Sequence, residues 1–302
     1  LIKTYNSLHG FMRLWVLNNN STAIAQILEQ PANYIHSTYD DEFVKTETGV
    51  YFKMLFNSQT EIWKSDGTIG NTKKITDVRS IYPHKVFLQN MDGKIFYFDN
   101  SLVNSEPVSL YYINDMTNQK VLVKNGQYYY ASAGSFVKGN KLYFFSGTGN
   151  GFVNQLHVTD GTEDGTLPIT EIQSQGVYGL KKCGDLHYFS DDQNYALFRT
   201  DGTSNGTFQV AHIYDDNTKH RNFNCINNEL YYGYFGVSKT NGNQGNFQKV
   251  NFTVNGEEVP NLNNRNLFSD GEKLYFSAEY KDHGVELIIT DVIESLSTND
   301  AN

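Results

Sequence analysis

LHVTDGTEDGT, residues 156–166, is the stretch that decides how this chain folds. Alone, its acids and glycines suit a calcium loop, a catalytic carboxylate pair or a turn. It is not alone. IWKSDGTIGNT covers 62–72 and LFRTDGTSNGT covers 197–207. Weaker copies are LWVLNNNSTAI (14–24), YYINDMTNQKV (111–121), VSKTNGNQGNF (237–247) and LIITD (287–291). Their equivalent positions are Asn18, Asp66, Asp115, Asp160, Asp201, Asn241 and Asp291. A catalytic acid is needed once, so seven copies argue for a structural turn. Asp accepts a hydrogen bond from the backbone N–H two residues on, Gly supplies φ > 0, and Thr closes the turn or opens the next strand. The most acidic copy keeps one alternative, a Ca2+ site at Asp160, Glu163 and Asp164. Its spacing is not that of an EF-hand loop, and calcium takes about six to eight oxygens.

A second landmark precedes each turn. It is an apolar-aromatic run: LIKTY at 1, YFKMLF at 51, IFYF at 95, LYFF at 142, LHYF at 186, LYYGYF at 230 and LYFSA at 274. The steps between these starts are 50, 44, 47, 44, 44 and 44. Turn-forming groups stand just ahead of most runs, as in NMDGK (90–94), VKGNK (137–141), KCGD (182–185), INNE (226–229) and SDGEK (269–273), which reads as a hairpin. One repeat is then a short strand, a turn, an aromatic strand, a loop, a strand ending in the Asp turn, and a last strand. Four strands about every 44 residues is the pattern of a β-propeller blade. The aromatic runs are apolar on both faces, as expected of a strand packed between two neighbouring sheets. No helical period separates them, which argues against a parallel α/β sheet.

The fold expected is therefore all-β, a single domain over 1–302 forming a seven-bladed β-propeller. The first repeat lacks its leading strand, so six full blades plus a partial one is the alternative. Two ways of completing the first blade stay open: VIESLSTNDAN (292–302) could close the ring by adding a strand to it, or a flanking segment could supply that strand. Leu1 falls inside a strand-like run, which reads as a processed or excised terminus and suggests a piece of a larger assembly.

Composition agrees. Tyr and Phe number 21 and 20, and charged residues are only 19%, a mix that favours strands and turns. The net charge of −9 and the lack of a basic stripe oppose nucleic-acid binding. No apolar run is long enough to span a membrane. Cys183 and Cys225 lie 42 residues apart, nearly one repeat, so adjacent repeats could bring them together; two buried free thiols is the equal alternative.

The copies at 62–72, 156–166 and 197–207 resemble the bacterial tandem repeats written ELWxTDGTxxGT, found in secreted and surface proteins, often beside hyalin-type or other adhesive modules. The likeness extends to the elements that follow, TKKITDV (72–78), TLPITEI (166–172) and TFQVAHI (207–213), and to the LYFSA strand. Asn71 stands where the second Gly is usual, and Asn18 and Asn241 replace the Asp. The resemblance implies a propeller and an extracellular or cell-surface binding or scaffold role, and no reaction.

Residue chemistry adds little to catalysis. The glycine-rich runs GTGNG (147–151) and NGNQGN (241–246) lack the Lys-Ser or Lys-Thr of a phosphate loop. The eight histidines form no metal-binding spacing, and His157 and His187 stand at strand positions where packing is the default. There is no G-x-S-x-G elbow. The links between repeats vary most, and tyrosines recur in them: Tyr34, Tyr39, Tyr82 beside His84, Tyr178 and Tyr214. Tyrosine near polar groups suits sugar or protein recognition. These are the candidate ligand-binding residues. The function expected is a non-enzymatic extracellular module for a protein or glycan partner, needing no cofactor. The alternative is a secreted polysaccharide-acting hydrolase or lyase with scattered acids at the axial end.

Overall fold

Strands form where the repeat places them. The computed structural model describes residues 2–6, 11–17, 24–31, 43–56, 59–79, 87–99, 108–128, 134–147, 154–172, 176–191, 196–212, 223–232, 237–250, 252–254, 257–258, 267–279 and 285–291, and every sheet in it is antiparallel. The aromatic runs become Ile2–Asn6, Val50–Phe56, Lys94–Asp99, Lys141–Gly147, Leu186–Asp191, Glu229–Tyr232 and Lys273–Glu279. Each pairs with the strand that leads to the Asp turn: Phe11–Leu17, Gln59–Ser65, Val108–Asn114, Asn154–Thr159, Ala196–Thr200, Val237–Thr240 and Val285–Asp291.

These strands belong to separate sheets, numbered first to seventh along the chain. The second to sixth have four strands each, hydrogen-bonded in sequence order; the first and seventh have three. A short hairpin, Thr253–Val254 with Glu257–Glu258, stands apart from them. The first sheet begins at its aromatic strand, Ile2–Asn6, as expected. The tail 292–302 lies outside the described residues.

The aromatic strands of the third and sixth sheets are buried on both faces because a sheet packs on each side. In the third sheet Ile95, Phe96, Tyr97 and Phe98 are all buried. Tyr97 and Ile95 face Tyr51, Ile62 and Val78 of the second sheet. Phe96 and Phe98 face Leu142 and Phe144 of the fourth. Tyr188 and Leu197 of the fifth sheet likewise meet Leu230 and Tyr232 of the sixth, and Tyr231 and Val237 of the sixth meet Leu274 and Phe276 of the seventh. Each large side chain so buried contributes about 1.5–3 kcal/mol. That recurrent stacking explains why the strands read as continuous apolar runs rather than as alternating ones.

The chain divides into two units. One comprises Leu1–Ala131, Ser135–Gly151 and Gln155–Pro168; the other comprises Ser132–Gly134, Phe152–Asn154 and Ile169–Asn302. Within the second unit Cys183 and Cys225 form a disulfide, with Cα atoms 5.3 Å apart. It links the first strand of the fifth sheet, Val177–Cys183, to that of the sixth, Asn224–Ile226. A separation close to one repeat places the two cysteines on equivalent strands of stacked sheets, which settles a pairing that spacing alone left open.

Candidate functional site

The Asp turns of the second, fourth and fifth sheets are built alike, with the Asp carboxylate bonded within its own turn. In the fourth sheet Asp160 Oδ1 accepts from Thr162 N at 2.9 Å and Thr162 Oγ1 at 2.7 Å. In the fifth, Asp201 Oδ1 accepts from Thr203 N and Oγ1 at 2.8 and 2.7 Å; in the second, Asp66 does the same with Thr68 at 2.9 and 2.6 Å. The Thr or Ser before each Asp meets the closing Thr at 2.7 Å, as Ser65–Thr72, Thr159–Thr166 and Thr200–Thr207. Gly67, Gly161 and Gly202 lie at φ 94, 94 and 92, a region open to glycine. The Thr162 hydroxyl and backbone hold the Asp160 carboxyl below its ordinary range, and Thr68 does so for Asp66.

The second Gly has a separate cause. A Cβ on Gly165 would lie 2.1 Å from Asp160 Oδ1, and one on Gly206 would lie 2.1 Å from Asp201 Cγ and Oδ1. Asn71 at this place in the second sheet gives its amide to Asp66 Oδ2 at 2.6 Å, so the departure is compensated by a bond.

The candidate cation site does not converge. The Asp160 carboxylate is engaged by Thr162, and the Lys94 ammonium reaches the Asp160 carbonyl at 3.4 Å. Lys124 donates to the Glu163 and Thr166 carbonyls at 3.4 and 3.0 Å. Two ammonium groups on the carbonyls of this turn oppose a second cation. Among the described residues no group of three or more His, Cys, Asp or Glu stands close enough to hold a metal ion.

The third sheet departs from the pattern. Its turn acceptor is Asn114, not Asp115: Asn114 Oδ1 takes Met116 N at 3.1 Å and Thr117 N at 3.0 Å. Asp115 is freed and points toward the second sheet, where it is 2% exposed. Lys64 Nζ lies 2.9 Å from its Oδ1 and also donates to its carbonyl at 2.7 Å. Thr48 Oγ1 and Thr46 Oγ1 donate to the same carboxylate oxygen at 2.6 and 3.0 Å. Lys64 and Tyr51 both donate to Asn118 Oδ1 at 3.2 Å. Burial pushes the Asp115 carboxyl up, but the bonds from Thr48, Lys64 and Thr46 outweigh it and leave it lowered. The missing glycine in NDMT was the one trace of this arrangement in the sequence.

One serine–histidine contact has the outline of a nucleophile and base. Ser146 Oγ lies 3.3 Å from His157 Nδ1. Both are buried, and Nδ1 also sits 3.3 Å from the Gln155 carbonyl. The His157 ring stacks on Phe144 at 5.2 Å and meets Tyr128 edge-on at 5.2 Å. Burial holds His157 down to about 4, so it is neutral at ordinary pH. A buried aromatic box offers a substrate no approach, and the pair is packing.

Of the tyrosines proposed for ligand contact, Tyr178 is described. It lies inside the strand Val177–Cys183 and is half-buried, not on a link. Ser190 Oγ donates to its carbonyl at 3.3 Å. Tyr34, Tyr39, Tyr82, His84 and Tyr214 lie outside the described residues.

No family model and no curated protein matches the chain. Solved structures do. A prolyl endopeptidase aligns with 96% of this chain and 48% of its own at 10% identity and a TM-score of 0.54. AztD from Citrobacter koseri aligns with 94% of this chain and 79% of its own at 14% identity and a TM-score of 0.52. Apo AztD from the same organism gives 96% and 79%, at 14% identity and a TM-score of 0.52. The chain thus spans about half the length of the prolyl endopeptidase. The likeness speaks to fold, which is of the β-propeller kind.

Proposed function

We propose that the chain is a seven-bladed β-propeller, one blade per sheet, acting as a non-enzymatic extracellular or cell-surface module that binds a protein or glycan partner. One observation carries this reading. The repeated carboxylates Asp66, Asp160 and Asp201 are each bound within their own turns, so the recurring motif is scaffold and the variable links are left for recognition. The Cys183–Cys225 disulfide fits an oxidising compartment. The resemblance to secreted tandem repeats points the same way.

The test is to pass the purified chain over immobilised polysaccharides and a bacterial surface-protein panel while assaying the soluble phase for cleavage products. Saturable binding without turnover supports the module. Product release from a polysaccharide or peptide overturns it in favour of an enzyme.

Membership of a larger assembly is supported by a second observation. Phe268, Val285, Leu287 and Ile289 of the seventh sheet are exposed, and the strand register places them on one face. Light scattering over a concentration series reads that association directly.

A further inference from the structure

An asparagine followed by glycine is a place where a chain modifies itself. The glycine nitrogen attacks the side-chain carbonyl carbon, the Cγ–Nδ2 bond breaks, and ammonia leaves. Water then opens the cyclic imide at either carbonyl, giving aspartate or isoaspartate. The attacking nitrogen must first lose its proton, so a hydrogen bond from that N–H slows the reaction.

The described residues contain nine Asx-Gly peptides, six Asp-Gly and three Asn-Gly, and in all nine the glycine N–H is donated to a side-chain oxygen. Among the three asparagines, Gly126 donates to Ser109 Oγ at 2.8 Å, Gly206 to Thr203 Oγ1 at 2.9 Å and Gly242 to Thr240 Oγ1 at 3.0 Å.

Their carboxamides differ. Asn125 Oδ1 accepts from Ser109 Oγ at 3.1 Å, and Asn241 Oδ1 accepts from Asn243 N at 3.1 Å. The Asn205 side chain is exposed and has no partner among the described residues. We propose that Asn205 is a self-modification site, converted to aspartate or isoaspartate through attack by the Gly206 nitrogen, with the Thr203 hydroxyl setting the rate.

The aspartate product is already accommodated by this fold. Asp164 occupies the same place in the fourth sheet, with Gly165 N donating to Thr162 Oγ1 at 3.0 Å. Isoaspartate instead lengthens the backbone by one atom before Gly206, whose N–H is tied to Thr203 Oγ1 and whose Cα packs against the Asp201 carboxylate, so the turn cannot keep its bonds. Modification therefore splits into a silent product and one that breaks the turn.

The experiment incubates the full chain at mildly alkaline pH and follows each Asn-Gly peptide by mass spectrometry, with isoaspartyl methyltransferase labelling to separate the two products. Asn205 is expected to convert before Asn125 and Asn241. Thr203→Val is expected to raise its rate about tenfold, the equivalent of one lost hydrogen bond, while Thr203→Ser keeps the wild-type rate. Earlier conversion at Asn125 or Asn241, or an unchanged rate in Thr203→Val, overturns the proposal. The wild-type order needs no variant and decides the matter even where Thr203→Val does not fold.

Discussion

At the scale of the residue, the second glycine of the turn is the sharpest case. Its Cα faces the Asp carboxylate so closely that only hydrogen fits, unless the added side chain itself donates to that carboxylate. Gly165→Ala is therefore expected to cost about 1 kcal/mol through loss of the Asp160–Thr162 bonds, whereas Gly165→Asn is expected to be nearly neutral. Urea denaturation of the two variants reads the difference. His157 makes a pH prediction. The unfolded ring takes a proton near its ordinary 6.5, the folded ring only near about 4. Between those values the unfolded state binds more protons, so stability falls as pH falls, and nothing is gained above 6.5. The loss amounts to roughly 3 kcal/mol by pH 4. Melting curves across this window are expected to be flatter for His157→Phe than for wild type.

At the scale of the element, two devices recur, one between sheets and one within them. The first is the glycine at positive φ. A Cβ on Gly161 would lie 3.4 Å from the Phe96 ring and 2.8 Å from Lys94 Nζ, and one on Gly242 would lie 2.5 Å from Tyr188 Oη. The turn of one sheet thus rests on the aromatic strand of the sheet before it. The second is register. Tyr51 pairs with Lys64, Tyr188 with Arg199 and Tyr231 with Lys239, placing a tyrosine across from a cation in three sheets. In the second sheet this cation reaches Asp115 and becomes a buried ion pair. Lys64→Met alone strands the Asp115 charge and is expected to cost about 3–5 kcal/mol. Lys64→Met with Asp115→Leu is expected to recover much of that, because two apolar groups leave no charge to desolvate. A double-mutant cycle by denaturant unfolding checks it; equal losses in the single and double variants would refute the account.

At the scale of the whole molecule, the disulfide is the longest-range covalent constraint. It closes a loop of 42 residues between stacked sheets. Restricting that loop in the unfolded chain is worth roughly 4 kcal/mol on the chain-entropy model. Reduction, or Cys183→Ala with Cys225→Ala, is expected to lower the melting temperature while leaving the fold intact. The apolar cluster of Tyr188, Leu197, Val210, Phe223 and Leu230 around Cys183 still joins the two sheets. Circular dichroism of the reduced protein reads both halves of that expectation.

Much of the fold was legible because it repeats. All seven aromatic runs and the strands that lead to the turns appear where the period places them. Periodicity reports backbone pairing, a local demand met seven times over, and the apolar runs report burial, which is two-sided in the third and sixth sheets. The sites were less legible. Tyr178 reads as part of a link but is a strand residue, because strand limits depend on pairing with Leu186–Asp191. Asp115 aligns with the turn acids, yet Asn114 does their work.

By itself the sequence determined the antiparallel sheets, their order and the chemistry of the Asp turns, since hydrogen bonds two residues apart and a glycine at positive φ are written locally. Only the tertiary structure decided that Cys183 pairs with Cys225 and that Lys64 and Asp115 form a buried pair. It also decided that the second glycine yields to an asparagine that donates a bond. Each depends on how closely side chains distant in the chain, or folded back across a turn, approach one another. That distance is set by packing, which no spacing of residues along the chain encodes.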